Sequence, residues 1–209
     1  MDLAQVDFAN YWTVLTYAAA GIALAATAGM RAFLPLLVLG IAARMGRFEI
    51  SEGYRWLSTD MALITFAVAV VAETLADKIP VVDHALDTVQ TIVKPAVGTM
   101  VAAAMFVQLS PFHATLLGLA VGGTVATGVH LVKAKVRVLS SLTTGTILNP
   151  ILSFVEDVVS TVIAAVAVIA PFLALLFIGT LFGFAFHRLH RRYNVRPPMA
   201  PGAPGAPGG

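Results

Sequence analysis

From Val158 to Phe186 the chain runs 29 residues without a charged side chain, and from Phe8 to Met30 it runs another 23. A helix needs about 20 apolar residues to span the hydrocarbon of a bilayer. Inside lipid every backbone N–H and C=O must be satisfied within the protein, so only helices and closed barrels span it. The runs do not alternate polar with apolar, which argues against a barrel. Composition agrees: 58% of the residues are hydrophobic and 11% are charged, with a mean hydropathy of +0.88. An ordinary soluble domain carries about 25% charged residues. The expected fold class is all-α, a polytopic transmembrane helical bundle, with room for roughly five or six crossings.

There are no cysteines, which excludes disulfides, thiolate metal sites and cysteine nucleophiles. The first ten residues are an acidic tail, without the basic stretch of a cleaved leader. Residues 11–187 are read as the transmembrane domain, with half-repeats at 11–110 and 111–187. Residues 188–209 are read as a basic stretch followed by a disordered Pro/Gly-rich tail. The basic run HRLHRRYNVR points to a cytoplasmic C-terminus by the positive-inside rule. The expected location is a bacterial cytoplasmic membrane.

Along the chain, Phe8–Met30 reads as a span, with Tyr11 and Trp12 as interfacial anchors. Arg31 interrupts it, and AFLPLLVLGIAA that follows is too short to span alone. Either one long helix kinks near Gly29 and Pro35, or a half-helix follows a break. RMGRFEISEGYRW reads as a polar loop, and the segment from Met61 through Glu73 to Asp77 as a further helix. Pro80, Pro95 and Pro150 each read as opening a helix, and Pro111 as opening a longer span that ends near KAKVR. Pro171 is the expected kink in the last run.

An internal repeat is legible. PVVDHALDTVQTIV (80–93) lies over PILSFVEDVVSTVI (150–163), matching Asp87 with Asp157, and TAGMRAF (27–33) lies over ATGVHLV (126–132). Broken segments at matching positions of two halves, often inverted, point to a transporter's binding site.

The ionisable groups are crowded. ETLADKIPVVDHALDTVQTIVKP (73–95) holds Glu73, Asp77, Asp83 and Asp87, the first two and the last two each spaced i, i+4; Glu156 and Asp157 lie early in the last helix. A carboxylate at mid-membrane costs about 2.5–3.5 kcal/mol on insertion scales and so faces the bundle interior or water. These six are the candidate ion- or solute-binding residues, Asp87 and Asp157 foremost. The competing reading is that they lie at the interface and cap helix N-termini, which suits Asp83 and Glu156 best. His130, Lys133 and Arg137 fall at i, i+3, i+7 on one helical face. With Arg31 they form a candidate site for an anion or an anionic lipid headgroup; the plainer reading is a juxtamembrane basic cluster. Arg31, set between two apolar runs, calls for an intramembrane carboxylate partner.

No HExxH, GxSxG, Walker A or dinucleotide-binding pattern is present. His113, His130 and His187 are isolated in sequence. No enzyme activity, cofactor or nucleic-acid partner is expected, and no metal is assigned.

ETLADKIPxxDxxxDTVQTIVKPAVG, NPxxSxxED and the stretch from His130 to Arg137 resemble the bacterial membrane-protein family catalogued as domain of unknown function 4126, over roughly Tyr11 to Phe186. The resemblance implies an integral membrane fold and draws attention to Glu73, Asp77, Asp83, Asp87, Glu156 and Asp157, without assigning them a role. The expected function is a small membrane transporter or channel for an ion or small solute. The alternative is a protein that binds anionic lipid or serves membrane assembly. Membrane lipids and further copies of the chain are the expected partners.

Overall fold

A computed structural model describes residues 8–77, 80–144 and 149–193. The side chains of residues 8–10, 80–85, 87, 139, 141–144, 149–150, 182, 185–186 and 188–193 lie outside that description. Among the described residues the chain is helical throughout: α1 Phe8–Met30, α2 Leu34–Arg44, a 3-10 turn at Glu52–Ser58, α3 Asp60–Ala76, α4 Pro80–Met105, α5 Pro111–Gly118, α6 Thr124–Thr144, α7 Asn149–Ile169 and α8 Pro171–Tyr193. Contacts divide the chain into one unit of residues 1–178 and a second of residues 179–209.

Among the described residues three helices are long and apolar enough to cross a membrane: Tyr11–Met30, Pro111–Val138 and Ile151–Ile169. A fourth is possible if the 3-10 turn and α3, bent by 64°, count as one broken span. That is fewer than the five or six crossings expected. The difference lies in α2, which has only 11 residues, and in α4, whose 26 residues include Asp83, Asp87, Gln90 and Lys94. Many large apolar side chains point outward, as a bundle in lipid requires, while Leu24, Leu36, Leu39 and Ile163 are buried. Ile64, Val68, Val71 and Leu75 of α3 form one stripe at least 57% exposed.

The interior is built from small residues. Ala20, Ala23, Ala28, Ala102, Ala103 and Ala126 are all fully buried. α1 packs on α4, α6 and α7, and α4 packs on the continuous helix formed by α5, a π-turn at 119–123, and α6. Lipid tails are as apolar as leucine, so helices associate in a membrane through close packing rather than water release. The closest approach is between Gly98 of α4 and Gly122 in the π-turn. A Cβ on Gly98 would stand 2.5 Å from the Ala126 Cβ and 2.6 Å from the Gly122 carbonyl oxygen.

The interruption after α1 is a true break, followed by a half-helix, with Pro35 in the first turn of α2. α2 ends in a Schellman cap: Gly46, at φ +71°, donates to Ala43 O, and Arg47 N donates to Ala42 O. The polar loop that follows holds the 3-10 turn and is stitched to the bundle. Ser51 N donates to Ala104 O, Glu49 N to Tyr17 Oη, and the Arg47 guanidinium to the carbonyls of Val168 and Ile169.

Pro95 does not open a helix; it sits inside α4. A proline removes one ladder bond, and in a packed membrane helix neighbours compensate for that loss. The acceptor freed by Pro95 is the Thr91 carbonyl; one turn on, Thr99 Oγ1 donates separately to Pro95 O at 2.8 Å. In the last hydrophobic run the helix breaks at Ala170, just before Pro171, as its sequence suggests.

The proposed repeat does not emerge from the fold. Residues 80–93 and 150–163 both start helices, α4 and α7, but Arg31 follows the end of α1 while its match His130 lies within an unbroken α6.

Gly98→Ala is expected to cost about 1–3 kcal/mol, the usual penalty of overpacking. Gly128→Ala, where an added Cβ meets nothing within 4 Å, is expected to be neutral or slightly stabilising. Unfolding of the two variants in detergent micelles, followed by circular dichroism, tests the assignment of the α4–α6 contact.

Candidate functional site

The break between α1 and α2 leaves the N–H groups of Ala32 and Phe33 outside both helical ladders. In lipid such groups are costly if unsatisfied. The Glu73 carboxylate, from the last turn of α3, closes them: Oε1 accepts from Ala32 N at 3.0 Å and Oε2 from Phe33 N at 3.4 Å. Gln90 of α4 donates its Nε2 to the same Oε1 at 3.0 Å. Glu73 is 4% exposed, and its charge meets the positive end of α2. It therefore caps a helix from another element. That is a positioning task, and it sets Glu73 apart from the other carboxylates.

Arg31 stands in the break itself and is 3% exposed. Its Nη1 lies 2.8 Å from Asp77 Oδ2 of the α3 terminus, close but not aligned as a hydrogen bond. Its Nη2 pairs with Asp157 Oδ1 of α7 and donates weakly to Ser153 Oγ at 3.5 Å. Its Nε has no hydrogen-bond partner among the described residues. The guanidinium thus straddles two carboxylates on two helices, without the two-pronged grip on one carboxylate that gives Arg its most rigid pairs.

A second tier comes from α6. Lys133 Nζ contacts Glu156 Oε2 at 2.9 Å and donates to the carbonyl of Met30, the last residue of α1, at 3.3 Å. Arg137 Nη2 lies 3.4 Å from Glu156 Oε2 and 3.8 Å from Asp77 Oδ2. Glu156 is therefore shared by two cations, and Asp77 by Arg31 and Arg137. The basic face of α6 turns inward: His130, Lys133 and Arg137 are all buried. Its two cations face carboxylates, so it does not form an exposed cluster at the membrane surface.

Beside this network Lys94 of α4 is fully buried and lies 3.3 Å from His130 Nδ1, while Thr91 Oγ1 lies 3.4 Å from His130 Nε2. Lys94, Gln90, Thr91 and Ser153 are not among the candidate site residues read from the sequence. The usable signal was Gln90 and Lys94 at i, i+4 on a mostly apolar helix, with Pro95 directly after. Asp83 and Asp87 belong to α4, but their side chains lie outside the described residues, as does Lys78. Asp157, Asp77, Glu156 and Arg31 are brought together; Glu73 joins them through the break. Among the described residues no group of three or more His, Cys, Asp or Glu is arranged to hold a metal ion.

Residues 18–191 match the family model described as a domain of unknown function, DUF4126. The chain belongs to the DUF4126 family. The matched stretch contains the described members of the network, from Arg31 to Asp157. No curated protein and no solved structure matches the chain. Membership of the DUF4126 family thus identifies the fold unit without bringing an activity to it.

Removing one partner of a buried ion pair strands a buried charge, at about 3–5 kcal/mol. Arg31→Met is expected to destabilise the protein by that amount, measured by urea or thermal unfolding in micelles. The Arg44–Asp60 pair, with side chains 52% and 74% exposed, serves as the contrast. Arg44→Met is expected to change stability by less than about 1 kcal/mol. Glu73→Ala, which leaves the Ala32 and Phe33 N–H groups uncapped, is expected to cost about 1–3 kcal/mol.

Proposed function

We infer that this protein is a small membrane transporter or channel for an ion or small solute, and that the Arg31-centred network is its moving part. One observation carries the reading: a buried Arg31 straddles Asp77 on α3 and Asp157 on α7 at a break in the chain. Ionisable groups inside a membrane bundle are expensive and mark ion or substrate pathways. A guanidinium held between two carboxylates can tighten on either one at the expense of the other. A network with two discrete arrangements is what an alternating or gated step requires.

The charges favour such a switch over a fixed cation cage. Arg31, Lys133 and Arg137 face Asp77, Glu156 and Asp157, so these three carboxylates are already paired with cations. A pathway of this kind works by exchanging partners, with Asp77, Asp157 and Glu156 as the exchanging anions. Asp83 and Asp87 of α4 are its further carboxylates. The break and the half-helix α2 provide irregular backbone at membrane depth, which is tolerated where it lines a cavity or is buried in protein. We place the basic segment after residue 187 on the cytoplasmic side by the positive-inside rule.

The reading is tested by ion flux in proteoliposomes, with H⁺, Na⁺, K⁺ and divalent cations screened in parallel. Wild type is compared with Asp77→Asn, Asp87→Asn and Asp157→Asn. Flux is expected in wild type, and each variant is expected to slow it at least about tenfold, equivalent to about 1.4 kcal/mol on the barrier. Folded wild-type protein that moves no ion, while binding anionic vesicles through His130, Lys133 and Arg137, would replace this reading with the lipid-binding one.

A further inference from the structure

We propose that the ion at this site is the proton and that His130 receives it, with the Lys94–His130 contact transmitting its arrival to the α1–α2 break. The inference rests on the transporter or channel reading for its biological meaning, but the proton step itself is separable from flux.

The first support is the state of the carboxylates. Glu73 accepts from Ala32 N, Phe33 N and Gln90. Asp77, Glu156 and Asp157 each face an Arg or Lys. A metal cation would need several oxygens at once, and among the described residues each of these would first have to give up a cation or an N–H. A proton needs a single lone pair.

The second support is the chemistry of His130. A lysine ammonium can only donate. With Lys94 as an ammonium and its Nζ 3.3 Å from Nδ1, we assign Nδ1 as the acceptor and the ring hydrogen to Nε2, which lies 3.4 Å from Thr91 Oγ1. The proton leaves a hydronium ion, whose O–H bond breaks to give water, and forms a new N–H bond at Nδ1. It removes the lone pair that Lys94 uses and sets two positive charges side by side. The contact must then open, with the Lys94 ammonium leaving Nδ1 and its charge retained. No other bond is made or broken.

The third support is where the two helices lead. One turn before Lys94 on α4, Gln90 donates to Glu73, and Glu73 holds the N–H groups of Ala32 and Phe33. One turn after His130 on α6, Lys133 donates to Met30 O on the other side of the break. A displacement between Lys94 and His130 therefore reaches both ends of the junction that carries Arg31.

A charged group in contact with His130 is Lys94 of α4; α4 also carries Asp87 in its sequence, and α6 itself carries Lys133 and Arg137. On the neighbouring elements the charged groups are Arg31 after α1, Glu73 and Asp77 at the end of α3, and Glu156 and Asp157 of α7; Asp77 and Glu156 meet α6 through Arg137 and Lys133. Protonation adds positive charge directly beside the Lys94 ammonium, which makes rearrangement of that contact its consequence.

The test uses the full chain in nanodiscs with ¹⁵N-labelled histidine and backbone amides, titrated between about pH 8 and 5, where histidine changes charge. The chain has five histidines, and His130→Gln assigns the signal. The expected result is an Nε2–H tautomer at high pH, conversion to imidazolium on acidification, and movement of the Ala32 and Phe33 amide signals with the same midpoint. In His130→Gln those amides are expected to lose that pH response, and proton flux in proteoliposomes to be lost. Should His130→Gln not fold, Lys94→Gln serves: the ring still titrates, and the junction amides no longer follow it. Titration coupled to the junction in a protein that moves no ion would leave the proton site standing and remove the transport reading. Full proton flux in His130→Gln, or a His130 that titrates while the junction amides stay still, would overturn the proposal.

Discussion

The buried guanidinium of Arg31 is the constraint on which the rest of the bundle depends. A cation that is 3% exposed within a mostly apolar bundle must have anions around it, because an isolated buried charge is far more costly than a paired one. Asp77 and Asp157 provide them from α3 and α7. Each of these is shared with, or adjacent to a residue paired with, a cation on α6. One unavoidable charge thus draws the ends of α1 and α3 and the middles of α6 and α7 to a common point. The neutral balance of the cluster is what allows it to lie inside a membrane protein at all.

The break beside Arg31 creates a second obligation that is met in the same place. Lipid offers no water to the freed N–H groups of Ala32 and Phe33, so an acceptor has to come from another helix. Glu73 is that acceptor, and Gln90 orients it from α4. Backbone irregularity and side-chain charge are solved by one arrangement, which joins α2 and α4 to the Arg31 network. Close packing makes this possible: Gly98 against Gly122, and the buried alanines of α1 and α4, leave the helices near enough for short polar reach.

Much of the secondary structure was legible. The charge-free run Phe8–Met30 became α1 with those same ends, because a span in lipid tolerates no polar interruption. Proline was a less faithful sign. Pro111, Pro150 and Pro171 stand in the first turns of helices, while Pro95 lies within α4. The same residue chemistry allows either outcome, and packing against α5 and α6 selects continuation. The site was legible as a set of residues. Arg31 announced its need for a carboxylate by its isolation, and Glu73, Asp77, Glu156 and Asp157 were visible as charges out of place. Lys94 and Gln90 stayed outside the candidate site because a polar residue on an apolar helix has no local pattern to identify its partner.

The sequence by itself determined that the chain is a helical membrane protein, where its main spans lie and which side chains are too costly to leave unpaired. These follow from transfer free energies, which belong to single residues and short windows. The tertiary structure alone decided who pairs with whom: that Arg31 lies between Asp77 and Asp157, that Glu73 caps a helix it does not belong to, and that the basic face of α6 turns inward. Those choices join residues 40 to more than 120 positions apart in the chain. Separations of that kind are set by how helices pack, and no periodicity along the sequence encodes them.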